Sequence, residues 1–168
     1  IPTIVIDPGH GGGDTGAVRN FILEKDINLD ISLRAARLFR AKGWNAVLTR
    51  ETDVEPSLLD RADAANILNA TVFVSVHNNS LPEEAIPRSR EFGTTVLYNA
   101  SALQPATELA RIMQDELVGA LGTQREALQD RPRLVVLNST WVPAVLTEGI
   151  MMPNPGNAKL ILDRIHRQ

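Results

Sequence analysis

Two of the three histidines in this chain share one setting: an apolar, β-branched run that ends at the histidine and gives way to small or amide residues. Ile1 to Ile6 leads through Asp7-Pro8-Gly9 to His10, and Thr71 to Val76 leads to His77, Asn78 and Asn79. Imidazole is a common metal ligand, and a hydrolytic zinc site needs a third protein ligand with the fourth position left for water. The chain has no cysteine, so that ligand must be an imidazole or a carboxylate. Glu24 is the attractive candidate, because Gly11, Gly12, Gly13 and Gly16 form a pliant loop that can fold it back toward His10 at the start of a helix. Taken alone, Glu24 would read as an acid favoured at a helix N-terminus. His166 lies between Arg164 and Arg167 and reads as a surface residue, although spacing alone leaves a three-histidine set open. A metal there would lower the pKa of a water and polarise a carbonyl, and hydrolysis then wants a carboxylate general base. Glu148, at the end of Val142-Pro143-Ala144-Val145-Leu146, is placed for that work.

Other chemistries find less support. The stretch from Gly9 to Gly16 has neither the Lys-Ser/Thr ending of a phosphate loop nor the G-x-G-x-x-G dinucleotide spacing. No G-x-S-x-G elbow occurs, and a thiolate nucleophile is impossible without cysteine.

The elements that must carry these residues alternate between strand and helix. Strands are expected at 1–6, 44–48, 71–76, 94–98, 134–137 and 142–146, from short β-branched runs bounded by Gly, Pro or polar clusters. Helices are expected from Glu24 to about Lys42, from a capping pair of Ser57 and Asp60 to Ala70, from Pro105 to Leu121 before Gly122, and from Asn157 to His166. The prolines and mixed charge of 81–93 read as a loop. This alternation predicts a single α/β domain with a mixed, mostly parallel central sheet of about five to six strands flanked by helices on both faces. Ligands of such sheets sit outside the carboxyl ends of the strands, so His10, His77 and Glu148 should share one rim.

Composition agrees. The 168 residues are 43% hydrophobic and 22% charged with a net charge of −3, one ordinary domain's worth of globular protein. There is no basic surplus for a nucleic-acid backbone, and no apolar run approaches the length needed to span a bilayer. The first residue is Ile1, which suggests a piece of a longer precursor whose signal peptide would not be visible.

Several ordered blocks resemble the zinc-dependent N-acetylmuramoyl-L-alanine amidases of the Amidase_3 family. They are Asp7-Pro8-Gly9-His10-Gly11-Gly12, Asp14-Thr15-Gly16-Ala17, Glu24-Lys25-Asp26, Ser75-Val76-His77-Asn78-Asn79 and Pro143-Ala144-Val145-Leu146-Thr147-Glu148. Leu48-Thr49-Arg50 and Arg61 with Ala65-Asn66 are similar to family positions too. The resemblance implies one zinc ion held by His10, Glu24 and His77, with Glu148 as catalytic acid/base. It implies cleavage of peptidoglycan between the lactyl group of N-acetylmuramic acid and L-alanine of the stem peptide. Asn78, Asn79 and Arg131 are the expected substrate contacts. The whole of 1–168 would be the amidase catalytic domain of a longer, exported bacterial protein that works in the periplasm or cell wall, as a monomer, on peptidoglycan or muropeptides. An activator or a flanking wall-binding domain would be its partner in the full-length protein; nucleic acid and a membrane span are not expected.

The chain departs from the family pattern at Gly149-Ile150-Met151-Met152, at Asn78 where alanine is common, and at Arg19-Asn20-Phe21-Ile22 before Glu24. Autoinhibited family members carry a long helical insertion after the second histidine block, and here only 81–93 fills that place, which implies a site open without an activator. Two other readings stay open on the residues: a zinc peptidase or carboxypeptidase acting within the stem, with Arg131 or Arg133 holding a carboxylate, and a wall-binding module without catalysis.

Overall fold

The computed structural model describes residues 1–163, so His166 and the end of the expected last helix lie outside the described residues. In chain order the elements are β1 (Thr3–Pro8), β2 (Val18–Arg19), β3 (Ile22–Leu23), α1 (Glu24–Ala41), β4 (Asn45–Leu48), α2 (Leu58–Ile67) and β5 (Val72–Asn79). A 3₁₀ segment (Glu83–Glu91) leads to β6 (Thr95–Tyr98), α3 (Ala106–Leu121), β7 (Gln129–Asp130), α4 (Val135–Asn138), β8 (Ala144–Met151) and α5 (Pro155–Leu162). Six strands form one sheet in the order β4-β1-β5-β8-β6-β7, and β2 and β3 form a separate hairpin. The pairs β4/β1, β1/β5, β5/β8 and β6/β7 are parallel and only β6/β8 is antiparallel, so the expected mixed, mostly parallel sheet is observed.

Alternation along the strands divides the core. Val5, Phe73, Leu97 and Leu146 face α2 and α4, packing with Ala65, Val136 and Leu137. Ile4, Ile6, Val74, Val76, Val96 and Val145 face α1 and α3, packing with Ala36 and Ala110. A smaller cluster of Ile27, Ile150, Met152 and Ile161 sits under α5.

Three local outcomes differ from the sequence reading. Strands β5 and β8 run on through His77 and Glu148 instead of stopping at them, because both residues still pair in the ladder. The expected strand at 134–137 is instead the single turn α4, which lays Val136 and Leu137 into the core; so short an apolar run has no periodicity to separate strand from helix. The β2/β3 hairpin was unread, since its strands are two residues each, and it turns through Asn20 and Phe21, both at positive φ. Capping of α2 is as expected: the Asp60 N–H donates to Ser57 Oγ at 3.1 Å and Ser57 Oγ donates to the Asp60 carboxylate at 2.7 Å.

Candidate metal and catalytic centre

The site gathers at the carboxyl ends of β1, β5 and β8. His77 and Glu148 are partners in register across β5 and β8, so the ladder alone sets them side by side on the α2/α4 face. His10 reaches the same place from the loop after β1, with its backbone in the left-handed region at φ 61°. Such a conformation costs a non-glycine residue free energy and must be held.

Two buried arginines hold it. Arg61 donates to the carbonyls of Pro8 at 2.8 Å and His10 at 2.9 Å and to the Asp7 carboxylate at 2.9 Å. Asp7 also accepts from Thr49 Oγ1 and from Ser75 Oγ at 2.6 Å, so its charge is fully engaged beneath the site. Arg50 donates to the carbonyls of Pro8, Gly9 and Lys25 at 2.9 to 3.0 Å, joining the loop to α1. Close approach explains two glycines. A Cβ on Gly9 would lie 2.3 Å from the His77 ring, and one on Gly16, itself at φ 61°, would lie 2.6 Å from both Glu24 Oε2 and the His10 ring.

Glu24 opens α1 and is buried between the two imidazoles. His10 Nε2 lies 3.2 Å from its Oε2 and His77 Nδ1 lies 3.2 Å from its Oε1. The carboxylate also accepts from the backbone N–H groups of Ala17 and Asn78 at 2.9 and 3.1 Å, and from the Asn28 amide at 3.3 Å. One ligand atom from each of His10, Glu24 and His77 falls within 4.8 Å of the others. Asp14 accepts from His10 Nδ1 at 2.7 Å, which directs Nε2 into the cluster, as a carboxylate behind a ligating histidine does.

Charge in the cluster follows this geometry. Burial pulls the His10 imidazole down, but Glu24 and then Asp14 outweigh it and raise it to about 9. Burial works to raise Glu24, yet the hydrogen bonds from His10 and His77 hold its carboxyl well below the usual range. Glu148 goes the other way: burial and the neighbouring Glu24 charge push it up to about 8, against a smaller pull from His10. Among the described residues its Oε2 is buried with no hydrogen-bond partner. The donor set of two imidazoles and a carboxylate, with an uncommitted carboxyl beside it, fits a hydrolytic divalent-metal site.

A cleft of about 550 Å³ opens over His10 and His77, with Asp7, Ser75 and Leu146 in its floor, 55–58 on one wall and 134–136 on the other. The sequence-expected residues divide around it. His10, Glu24, His77 and Glu148 come together. Asn78 is buried and turns toward α1, donating to Asn28 Oδ1 at 3.0 Å, so it braces Glu24 from behind. Asn79 spends its side-chain oxygen on the Ser80 N–H, and Arg131 is exposed in the 130–134 loop beside Gln129 and is not among the residues lining the cleft over the histidines. Asp14, Asn28 and the Asp7/Arg61 pair went unread as site residues. Signals existed: Asp14 stands four residues after His10, and Asn28 one helical turn after Glu24 on the buried stripe.

Comparison with known proteins agrees with this geometry. The family model described as N-acetylmuramoyl-L-alanine amidase, Amidase_3, matches residues 4–168. The amidase LytC of Bacillus subtilis is 33% identical over 165 residues, 98% of this chain and 32% of LytC. The endolysin of Bacillus phage SPP1 is 36% identical over 161 residues, 93% of this chain and 57% of the endolysin. The chain thus spans from just under a third to less than three-fifths of these curated relatives. Among solved structures, the catalytic domain of the amidase CwlV from Bacillus (Paenibacillus) polymyxa superposes with a TM-score of 0.88 at 30% identity, covering 99% of this chain and 90% of that one. The amidase AmiC2 of Nostoc punctiforme gives 0.87 at 32% identity, covering 99% and 88%.

Proposed function

The chain belongs to the N-acetylmuramoyl-L-alanine amidase family Amidase_3, and from that premise we propose that it hydrolyses peptidoglycan at the amide between N-acetylmuramic acid and L-alanine, using one zinc ion. The observation that carries the reading is the convergence of His10, Glu24 and His77 beside Glu148, with His10 and His77 lining one cleft. His10, Glu24 and His77 would hold the ion, with Asp14 fixing the His10 tautomer. What zinc supplies there is Lewis-acid activation of a water and of the scissile carbonyl.

The chain's own groups do the rest. Glu148, whose buried Oε2 has no hydrogen-bond partner among the described residues, takes a proton from the attacking water in its ionised form and returns it to the leaving amine nitrogen. Residues 1–168 act as a catalytic domain within a longer wall protein, a reading supported by the greater length of LytC and the endolysin. Its place of work is outside the cytoplasmic membrane, where peptidoglycan lies; no helix among the described residues is long and apolar enough to cross a membrane. The 3₁₀ segment Glu83–Glu91 leaves both histidine side chains partly exposed, 23% and 18%, which supports access without an activator.

Mass spectrometry of purified muropeptides incubated with the zinc-loaded chain tests the reading, beside chelator-treated protein and Glu148→Ala. The expected product is free stem peptide beginning at L-alanine, absent from both controls. A peptide cut within the stem while the glycan stays attached would replace the amidase with a zinc peptidase, and no cut at all with zinc bound would favour a silent wall-binding module.

A further inference from the structure

The sequence singled out Asn66 as a family-like position, and the catalytic centre leaves it unused. Its side chain sits on α2 and clamps the turn that precedes β8: Asn66 Nδ2 donates to the Ser139 carbonyl at 2.8 Å, and the Trp141 N–H donates to Asn66 Oδ1 at 2.7 Å. Thr140 Oγ1 donates to the Val136 carbonyl at 3.2 Å, tying the same turn back to α4. The turn is therefore pinned by hydrogen bonds to α2 and α4, yet Trp141 is 76% exposed. A large aromatic ring held out on a fixed backbone has already given up the entropy that binding would otherwise cost.

Beside the ring lies a cleft of about 370 Å³, lined on its polar side by Asn99, Ser101 and Gln104 from the loop after β6 and by Asn138 and Thr140, and on its apolar side by Trp141, Ala102, Leu103 and Leu137. No charged side chain lines it. An indole face beside the Gln104 amide, the Ser101 hydroxyl and Asn99 Nδ2, without charge, is chemistry for a neutral sugar chain: the ring stacks on the C–H face of a pyranose and those groups pair with hydroxyl and acetamido groups, while the Asn138 amide is spent on the Pro132 carbonyl and the Ser139 hydroxyl. An acidic or basic peptide and a nucleic acid would lack a counter-charge there. The position is also apt, because α4 borders both clefts: Val135 and Val136 line the catalytic one, and Leu137 and Asn138 line this one.

We propose that the Trp141 cleft binds the β-linked, N-acetylated amino-sugar chain of the polymer, holding a glycan strand across α4 while a stem peptide on it occupies the catalytic cleft. The inference rests on the peptidoglycan reading above for its polymer. Trp141 is a binding residue for that strand and takes no part in the hydrolysis.

The test uses a peptide-free probe, the β-1,4-linked tetramer of N-acetylglucosamine, titrated into the chain and into Trp141→Ala by calorimetry and tryptophan fluorescence. Trp44 packs edge-to-face on Phe39 with ring centroids 5.4 Å apart, so a quench that disappears in the variant reports on Trp141. Saturable binding, weakened roughly tenfold or more by the substitution, is expected. With it should come an unchanged rate on a monomeric muramyl-peptide and a several-fold slower release from insoluble peptidoglycan. No saturable binding in the millimolar range overturns the proposal, as does binding that Trp141→Ala leaves intact or an equal loss on both substrates. Concentration-dependent dimerisation abolished by Trp141→Ala, without saccharide binding, would assign the cleft to a second copy of this chain instead. Tetramer binding by a chain that cleaves no muropeptide would keep the cleft and remove the amidase; cleavage at L-alanine without tetramer binding would do the reverse.

Discussion

The two halves of the His10–Glu24–His77 cluster are built by different means. His77 belongs to β5 and stands opposite Glu148 of β8, so the hydrogen-bonded ladder between two central strands fixes both. His10 belongs to a loop, at a φ of 61°, and is held by guanidinium donors on the carbonyls around it. A group on a central strand inherits its position from backbone bonds that the fold needs anyway. A group on a loop needs side chains committed to it, here Arg50 and Arg61, each only 3% exposed. The strand side should therefore lose chemistry when altered and keep its fold, while the loop side should lose metal affinity and fold together.

The largest expected effect breaks the strand side. Glu148→Gln keeps the shape and removes the proton acceptor, and turnover on muropeptides should fall about 10²- to 10⁴-fold. The same change should raise stability near neutral pH. A carboxyl whose pKa rises to about 8 in the fold from an ordinary 4.5 opposes folding increasingly as pH climbs from 4.5 to 8, and an amide has no such penalty. Thermal melts of the metal-free chain at pH 7 should show a gain of about 1–3 kcal/mol. A less stable variant, or one that keeps its rate, would sink this account of Glu148.

Next in size is the loop side. Arg61→Ala leaves the Asp7 carboxylate buried without its cation and should cost about 3–5 kcal/mol in chemical denaturation. Arg61→Lys is the sharper variant, because it keeps the charge and loses the planar fork that spans Asp7 and the carbonyls of Pro8 and His10. Zinc affinity measured by chelator competition should drop while the fold persists; full affinity in the lysine variant would reduce Arg61 to a structural pair. Asp14→Ala separates orientation from folding. Its side chain is 48% exposed, so stability should hardly move, whereas losing the partner of His10 Nδ1 should weaken zinc binding about 10- to 100-fold.

Legibility in the sequence followed the same division. The strand side was readable because a β-branched run announces a buried strand, and two such runs delivered His77 and Glu148 to one rim. On the loop side the residue types that come together, His10 and Glu24, are readable, but what holds them is not. Asp7, Asp14 and Asn28 act through contacts between residues far apart in sequence or through a loop's path, and no period of 2 or 3.6 encodes those. Asn78 shows the limit from the other direction: adjacent to His77 in sequence, it points to the opposite side of the sheet and supports Glu24 there. The misassigned α4 has the same root, since packing against α2 overrode the β propensity of Val135 and Val136.

The smallest effect, and the one that isolates the loop side, is a pH window in the metal-free chain. His10 rises to about 9 in the fold against 6.5 free, so its protonated form stabilises the fold fully below about pH 6.5 and that contribution fades as pH climbs through 9. The Glu148 penalty grows over an overlapping range, so the measurement belongs in Glu148→Gln, where that penalty is absent. Melts of that variant should lose about 1–2 kcal/mol between pH 6.5 and 9, after allowance for the partial exposure of His10. Zinc should abolish the slope, because a ligating imidazole must be neutral, and loading at pH 7 should release close to one proton per site, shrinking as pH passes 9. A slope that persists in Asp14→Ala at full size would place the stabilisation on Glu24 alone; one that vanishes would show that the exposed carboxylate behind His10 does most of the holding.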